Sequence, residues 1–153
     1  MKIGIIGTGT AGILSIAFVL AYAPEPIEVY SIHNPKKPIL GIGESTSTQI
    51  PGVLYDSIKF TLLENADELD ATTKLGVKFS DWREKEFYSH IMPVCYGMHF
   101  DNHSIKEFTF KKFRELYKNF KEIHGDVTSI ESEETKAHVT INGERHSFDY
   151  VID

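Results

Sequence analysis

The chain has 153 residues, 41% hydrophobic and 25% charged, a composition that suits one soluble globular domain with a real core. Sixteen basic against 22 acidic residues leave a formal net charge of −6, and Lys36-Lys37 and Lys111-Lys112 are isolated pairs rather than a basic stripe. DNA and RNA are therefore poor partners.

The single cysteine, Cys95, cannot form an intrachain disulfide and fits a reducing, cytoplasmic setting. No motif marks it as a nucleophile, so it reads as a small core residue. Residues 3–23 are apolar and end in Ala21-Tyr22-Ala23, which imitates a signal-peptide cleavage site. Interior glycines and Pro24 argue against that reading, and the run is too interrupted for a membrane span.

Residues 2–6 predict a short apolar strand, and Gly7, Gly9 and Gly12 follow at GxGxxG spacing. Gly7 permits the turn, Gly9 lets backbone approach a pyrophosphate, and Gly12 lets the next helix pack closely. The anion would rest on free N–H groups at the helix N-terminus. A helix over 10–22, stopped by Pro24 and Pro26, and a strand over 27–32 complete a βαβ unit.

An Asp or Glu usually ends the second strand of such a unit and holds the ribose hydroxyls. None stands here, and His33 and Asn34 become the candidates. Lys36 and Lys37 keep a 2′-phosphate, and with it NADP, open. Residues 39–51 then bring two glycines, Glu44 and four hydroxyls into one run, a composition suited to a loop on a polar ligand. The same hydroxyls could instead cap a helix carried by Val53, Leu54, Ile58, Leu62 and Leu63.

Strict alternation over 71–82 predicts one strand, with Leu75, Val77 and Phe79 on one face and Lys74 and Lys78 on the other. Residues 83–102 are rich in aromatics and histidines. His99, Asp101 and His103 could share a face but match no zinc spacing, so no metal is expected. Ser104-Ile105-Lys106-Glu107 fits a capping box opening a long helix that carries Phe108, Phe113 and Phe120 toward Ile123. Three short β-runs follow at 127–130, 137–141 and 144–148, the last two joined by the hairpin signal Asn142-Gly143. Residues 150–152 predict a further buried strand.

Four stretches, in this order, resemble the flavin-dependent halogenases of the tryptophan halogenase family. They are Gly7-Thr8-Gly9-Thr10-Ala11-Gly12, Gly41-Ile42-Gly43-Glu44-Ser45-Thr46 with Ser45 in place of the usual alanine, the Lys74-to-Arg83 strand with its K-x-x-x-K-F-x-x-W-R pattern, and His99-Phe100-Asp101-Asn102-His103. The resemblance implies an α/β, Rossmann-like, three-layer FAD/NAD(P)-binding fold with a central parallel sheet and a β-meander, with residues 1–153 forming the FAD-binding domain. It also implies electrophilic halogenation of an electron-rich aromatic substrate, driven by reduced FAD, O2 and halide, with a separate flavin reductase as partner. By similarity Lys74 handles the electrophilic halogen. Gly7, Thr8, Gly9, Thr10, Ala11 and Gly12 would cradle the pyrophosphate, Ile42, Gly43, Glu44 and Ser45 would lie along the flavin, and Val127 would meet the adenine through its backbone. The family's W-x-W-x-I-P signature, halide site and substrate acid have no counterpart here, so the chain reads as the N-terminal part of a longer flavoprotein. Two other readings stay open, another FAD-dependent monooxygenase or NADP-linked reductase, and a non-catalytic nucleotide-binding module.

Overall fold

A computed structural model describes residues 1–24, 26–81, 86–90 and 96–153. Trp82, Arg83 and Cys95 lie outside the described residues. At the centre is a parallel sheet of four strands in the order β11-β1-β2-β7. It is built from β1 (Lys2–Ile6), β2 (Glu28–His33), β7 (Phe120–His124) and β11 (Tyr150–Ile152). Alternation along β1 and β2 sends Ile3, Ile5 and Val29 to one face, and Ile6, Tyr30 and Ile32 to the other.

The first face packs on α1 (Thr10–Tyr22), α2 (Ile50–Ile58) and α4 (Asn102–Leu116), through Ile13, Ile16, Leu54, Ile105 and Phe113. On the opposite face lies an antiparallel meander of β8 (Val127–Ser132), β9 (Ala137–Ile141) and β10 (Glu144–Phe148), whose Val139, Ile141 and Phe148 close a second core. Helices, parallel sheet and meander therefore form the expected three layers. Asn142 and Gly143 both take positive φ, 50° and 87°, as a tight hairpin turn between β9 and β10 requires.

Several boundaries differ from expectation, each for a local reason. The helix expected over residues 53–63 divides where Lys59 turns left-handed at φ 59° and closes α2. Thr61 then caps α3 (Leu62–Leu69) by accepting from the Glu64 N–H. Leu63 consequently points to solvent, 96% exposed. The strand expected over residues 71–82 is two strands in separate ribbons, β3 (Thr72–Lys74) paired with β6 (Gly97–His99), and β4 (Gly76–Phe79) paired with β5 (Phe87–His90).

The long helix starts three residues earlier than the capping box implies. Asp101 is the cap, and its carboxylate accepts from both the backbone N–H and the hydroxyl of Ser104 at 2.8 Å. It also stops at Leu116, and Phe120 and Ile123 belong to β7. Tyr150 in β11 is 62% exposed, so that strand is not buried as its apolar sequence suggests.

Candidate functional site

The turn from β1 into α1 is shaped for an anion. Gly7 adopts φ +91°, and its N–H donates to the Ile32 carbonyl at 2.9 Å, tying the turn to the end of β2. A Cβ on Gly12 would stand 2.3 Å from the Gly7 carbonyl oxygen, so only glycine lets the helix seat this close. A Cβ on Gly9 would meet nothing within 4 Å, because it would project into open space above the helix start. Among the described residues no side chain caps the N-terminus of α1, and no acidic residue lies in its first turn. Positive potential and unclaimed N–H groups are thus left for a ligand.

Above this turn opens a cleft of about 890 Å3, walled by Gly7 to Ala11, the end of β2, residues 37–43, and Gly125 to Val127. The volume lies within the range of small-molecule and cofactor sites, roughly 300–1,000 Å3. A dinucleotide fits the residues present, since the cradle a Gly9 side chain would fill holds no atom of the described residues and lies against the helix N-terminus.

Residues 41–46 form one wall of the cleft and reach beyond it. Ile42 and Gly43 line the cleft. Glu44 accepts from the Phe100 N–H through its carbonyl at 3.2 Å, and the Thr46 N–H donates to Met98 at 2.8 Å, so the loop runs beside β6 like a short extra strand. Gly97 makes this possible, because a Cβ there would lie 2.8 Å from the Thr46 carbonyl oxygen.

Asn102 joins the two segments that line the cleft. Its Oδ1 accepts from the Thr10 hydroxyl at 2.5 Å, and its Nδ2 donates to the Ile42 carbonyl at 3.4 Å and to Glu44 Oε1 at 3.5 Å. The side chain is almost completely buried, at 1% exposure. Glu44 also accepts from the Asn102 backbone N–H at 3.4 Å, which seats a carboxylate at the N-terminus of α4.

Lys74 ends β3 opposite Gly97 and lies on the far side of this loop from the cleft, which it does not line. Its Nζ donates to Ser45 Oγ at 3.0 Å and to the Thr46 carbonyl at 3.3 Å. An ammonium has three hydrogens, so these bonds fix its position and leave one donor for another group. Lys78 differs, pairing with Glu86 at 3.1 Å and lying over the Tyr88 ring.

At the other end of the cleft, Asn34 and Lys37 follow β2, and Asp126 and Val127 lead from β7 into β8. Lys37 Nζ lies 2.6 Å from Asp126 Oδ1. Lys37 first, and then the Asn34 side chain, hold the Asp126 carboxyl below its usual range. His33 packs its ring edge-on against Phe110 and His124. Burial, reinforced by Lys106, lowers its pKa to about 4 and keeps it neutral.

His33, Glu122 and His124 place ligand-type atoms within 4.8 Å of one another. Arg114 already engages both Glu122 oxygens, at 2.6 and 3.0 Å, and that ion pair accounts for the cluster. Asp101 of the sequence trio instead caps α4.

Of the residues singled out from sequence, Gly7, Thr8, Gly9, Thr10, Ala11, Ile42, Gly43 and Val127 line the cleft, as do His33, Asn34 and Lys37. Gly12 shapes the turn from behind, Glu44 turns toward α4, and Ser45 turns toward Lys74. Asn102, Gly97 and Asp126 were missed as site residues. Asn102 alone had a signal, as a polar residue inside the His99-to-His103 element.

A strand–glycine turn–helix cradle at the C-terminal edge of a parallel sheet, backed by a meander, defines a dinucleotide-binding domain of Rossmann-like class. Tryptophan halogenase is the family that matches residues 2–143, and the chain belongs to that family. Tryptophan 6-halogenase ThaL of Streptomyces albogriseolus is 29% identical over 79 residues, covering 52% of this chain and 15% of that protein. Tryptophan 7-halogenase RebH of Lentzea aerocolonigenes is 29% identical over 82 residues, covering 54% of this chain and 16% of that protein. The chain thus matches only a small part of the length of these relatives.

Among solved structures, the tryptophan 6-halogenase SttH of Streptomyces toxytricini superposes over 98% of this chain and 41% of its own, with a TM-score of 0.76 at 18% identity. CtdE, solved in complex with FAD and a substrate, superposes over 99% of this chain and 36% of its own, with a TM-score of 0.64 at 16% identity. At these identities the structural likeness establishes the shared fold.

Proposed function

We propose that this chain is the FAD-binding part of a flavin-dependent halogenase that halogenates a small, electron-rich aromatic molecule. The observation that carries this reading is a single loop, residues 41–46, which lines the nucleotide cleft with Ile42 and Gly43 and holds the Lys74 ammonium with Ser45 and Thr46. When bound in reduced form, FAD together with O2 and halide supplies an electrophilic halogen. The N-terminus of α1 and the Gly7-to-Ala11 turn bind its pyrophosphate, and Ile42 and Gly43 face its flavin end. The loop separates cofactor from substrate and keeps them in register.

Lys74 uses its remaining N–H to bind and orient the transferred halogen species beside the aromatic ring. The enzyme acts in the cytoplasm, consistent with the one cysteine of this chain, and receives reduced FAD from a separate flavin reductase.

The test is a turnover assay on protein expressed from the complete reading frame, with FAD, a reductase, chloride or bromide, and indole and phenol substrates, comparing wild type with Lys74→Met. Halogenated product that disappears in the variant while FAD binding persists supports the proposal. Flavin reoxidation without product for any halide favours another FAD-dependent monooxygenase, and FAD binding without redox turnover favours a binding module. An NADP-linked reductase would instead consume NADPH directly.

A further inference from the structure

We infer that Asp126 supplies the ribose-binding carboxylate that is absent from the end of β2, and that the adenosine hydroxyls of the bound nucleotide are read from the β7–β8 turn. The inference rests on the reading of the cleft as an FAD site and adds the residue that selects the unphosphorylated ribose. β2 and β7 are paired neighbours in register His33↔His124, so the turn after β7 stands one strand spacing from the position where an acid usually lies. Asp126 lines the same cleft as the phosphate turn, with Asn34 and Lys37 across from it.

The turn is held rigidly for this purpose. The Gly125 N–H donates to the His33 carbonyl at 3.0 Å, which ties it to the end of β2. Asn142 clamps it from the meander hairpin. Its Oδ1 accepts from the Asp126 N–H at 3.0 Å, its own N–H donates to the Asp126 carbonyl at 3.1 Å, and its Nδ2 donates to the His124 carbonyl at 3.2 Å. A Cβ on Gly125 would lie 2.3 Å from that Asn142 Nδ2, so this clamp requires glycine.

Of the two sequence candidates for the ribose, His33 has its ring committed to Phe110 and His124, and Asn34 has its Oδ1 accepting from the Lys36 N–H and its side chain bonded to Asp126. Asp126 has its side chain 47% exposed, with Lys37 bonded to Oδ1 and the Asn34 side chain also engaging the carboxylate. An ionised carboxylate offers about four lone-pair sites, so it can accept from two vicinal hydroxyls while keeping both Lys37 and Asn34. The same charge repels a 2′-phosphate, and Lys37, one of the two lysines that kept such a phosphate open, is already paired with the carboxylate.

The test is calorimetric titration of the chain with FAD, ADP and 2′,3′-dideoxy-ADP, for wild type, Asp126→Asn, Asp126→Ala and Lys37→Met, each checked for folding by circular dichroism. Wild type should bind ADP about tenfold or more tighter than the dideoxy analogue, as expected for hydroxyls bonded to a charged group. Both Asp126 variants should lose that preference, and Lys37→Met, which keeps the carboxylate, should retain it. Asp126→Asn has nearly the same shape as the native residue, so it carries the test if the alanine variant fails to fold. Wild-type binding of FAD with equal affinity for the two ADP probes, or an undiminished preference in a folded Asp126 variant, would overturn this inference while leaving the FAD reading intact. Failure of wild type to bind FAD or ADP would overturn both.

Discussion

Asn102 shows how one side chain can hold a two-part site together. Its amide uses both ends, accepting from Thr10 in the glycine turn and donating to Ile42 in the loop on the opposite wall. Replacing a buried amide by alanine leaves these partners unsatisfied, so Asn102→Ala should destabilise the chain by about 1–3 kcal/mol. FAD affinity should fall as well, because the two walls are no longer joined. Denaturation with and without FAD separates the two effects, and a variant with unchanged FAD affinity would show that Asn102 serves the core alone.

His33 has a pH signature. Its folded pKa of about 4, lowered by burial and then by Lys106, His124 and Arg114 against the opposing pull of Glu122, lies below the free value of roughly 6.5. The unfolded chain therefore takes up the proton first, and the stability that depends on neutral His33 is present above pH ~6.5 and lost as pH falls toward 4. His33→Gln should remove that part of the acid loss. The stability difference between wild type and variant should be constant above pH 7 and shift against wild type by pH 5, whereas parallel curves would contradict the assignment.

Among the elements, α4 anchors the helical layer through Ile105, Phe108, Phe110 and Phe113, with Phe110 and Phe113 meeting Phe120 of β7 at ring-centroid distances of 5.7 and 5.4 Å. Phe113 is fully buried, so Phe113→Ala should cost about 3–5 kcal/mol in equilibrium denaturation. Leu63→Ala should change stability by no more than about 0.5 kcal/mol, although periodicity placed Leu63 on the buried face. A large loss at Leu63 would mean that α3 packs differently.

These cases also show why some elements were readable from sequence and others were not. The βαβ unit and the meander announce themselves through local chemistry, by glycine spacing, Pro24 and Asn142-Gly143. The strand over 71–82 misled because its alternation continues across a change of partner, from β6 to β5, and strand partners are not a local property. The overlong α4 misled because Phe120 keeps the aromatic stripe going into β7. The Thr61-Leu62-Leu63-Glu64 cap was present in the sequence but was outweighed by the apolar run around it.

Across the whole molecule, three layers bring distant segments to one edge of the parallel sheet. The glycine turn comes from the first βα connection, the loop at 41–46 from the chain after β2, and Asp126 from the turn after β7. Individual motifs could be recognised separately, but that Ser45 serves Lys74 rather than the cleft depends on the pairing of the loop with β6. Asp126 had no sequence signature, since its place in the cleft depends on β7 lying beside β2 although the two are far apart in the chain.

The most direct test is titration of the chain with FAD, followed by the change in flavin fluorescence, for wild type and Gly9→Glu. Gly9 has negative φ, and a Cβ there meets no protein atom, so the variant should keep its circular dichroism spectrum and its fold. Its carboxylate would enter the space assigned to the pyrophosphate and repel it. The account predicts saturable FAD binding by wild type that is lost or weakened at least about tenfold in Gly9→Glu. Equal FAD affinity in the two folded proteins would contradict it, because the cofactor would then lie somewhere other than the cleft over the Gly7-to-Ala11 turn.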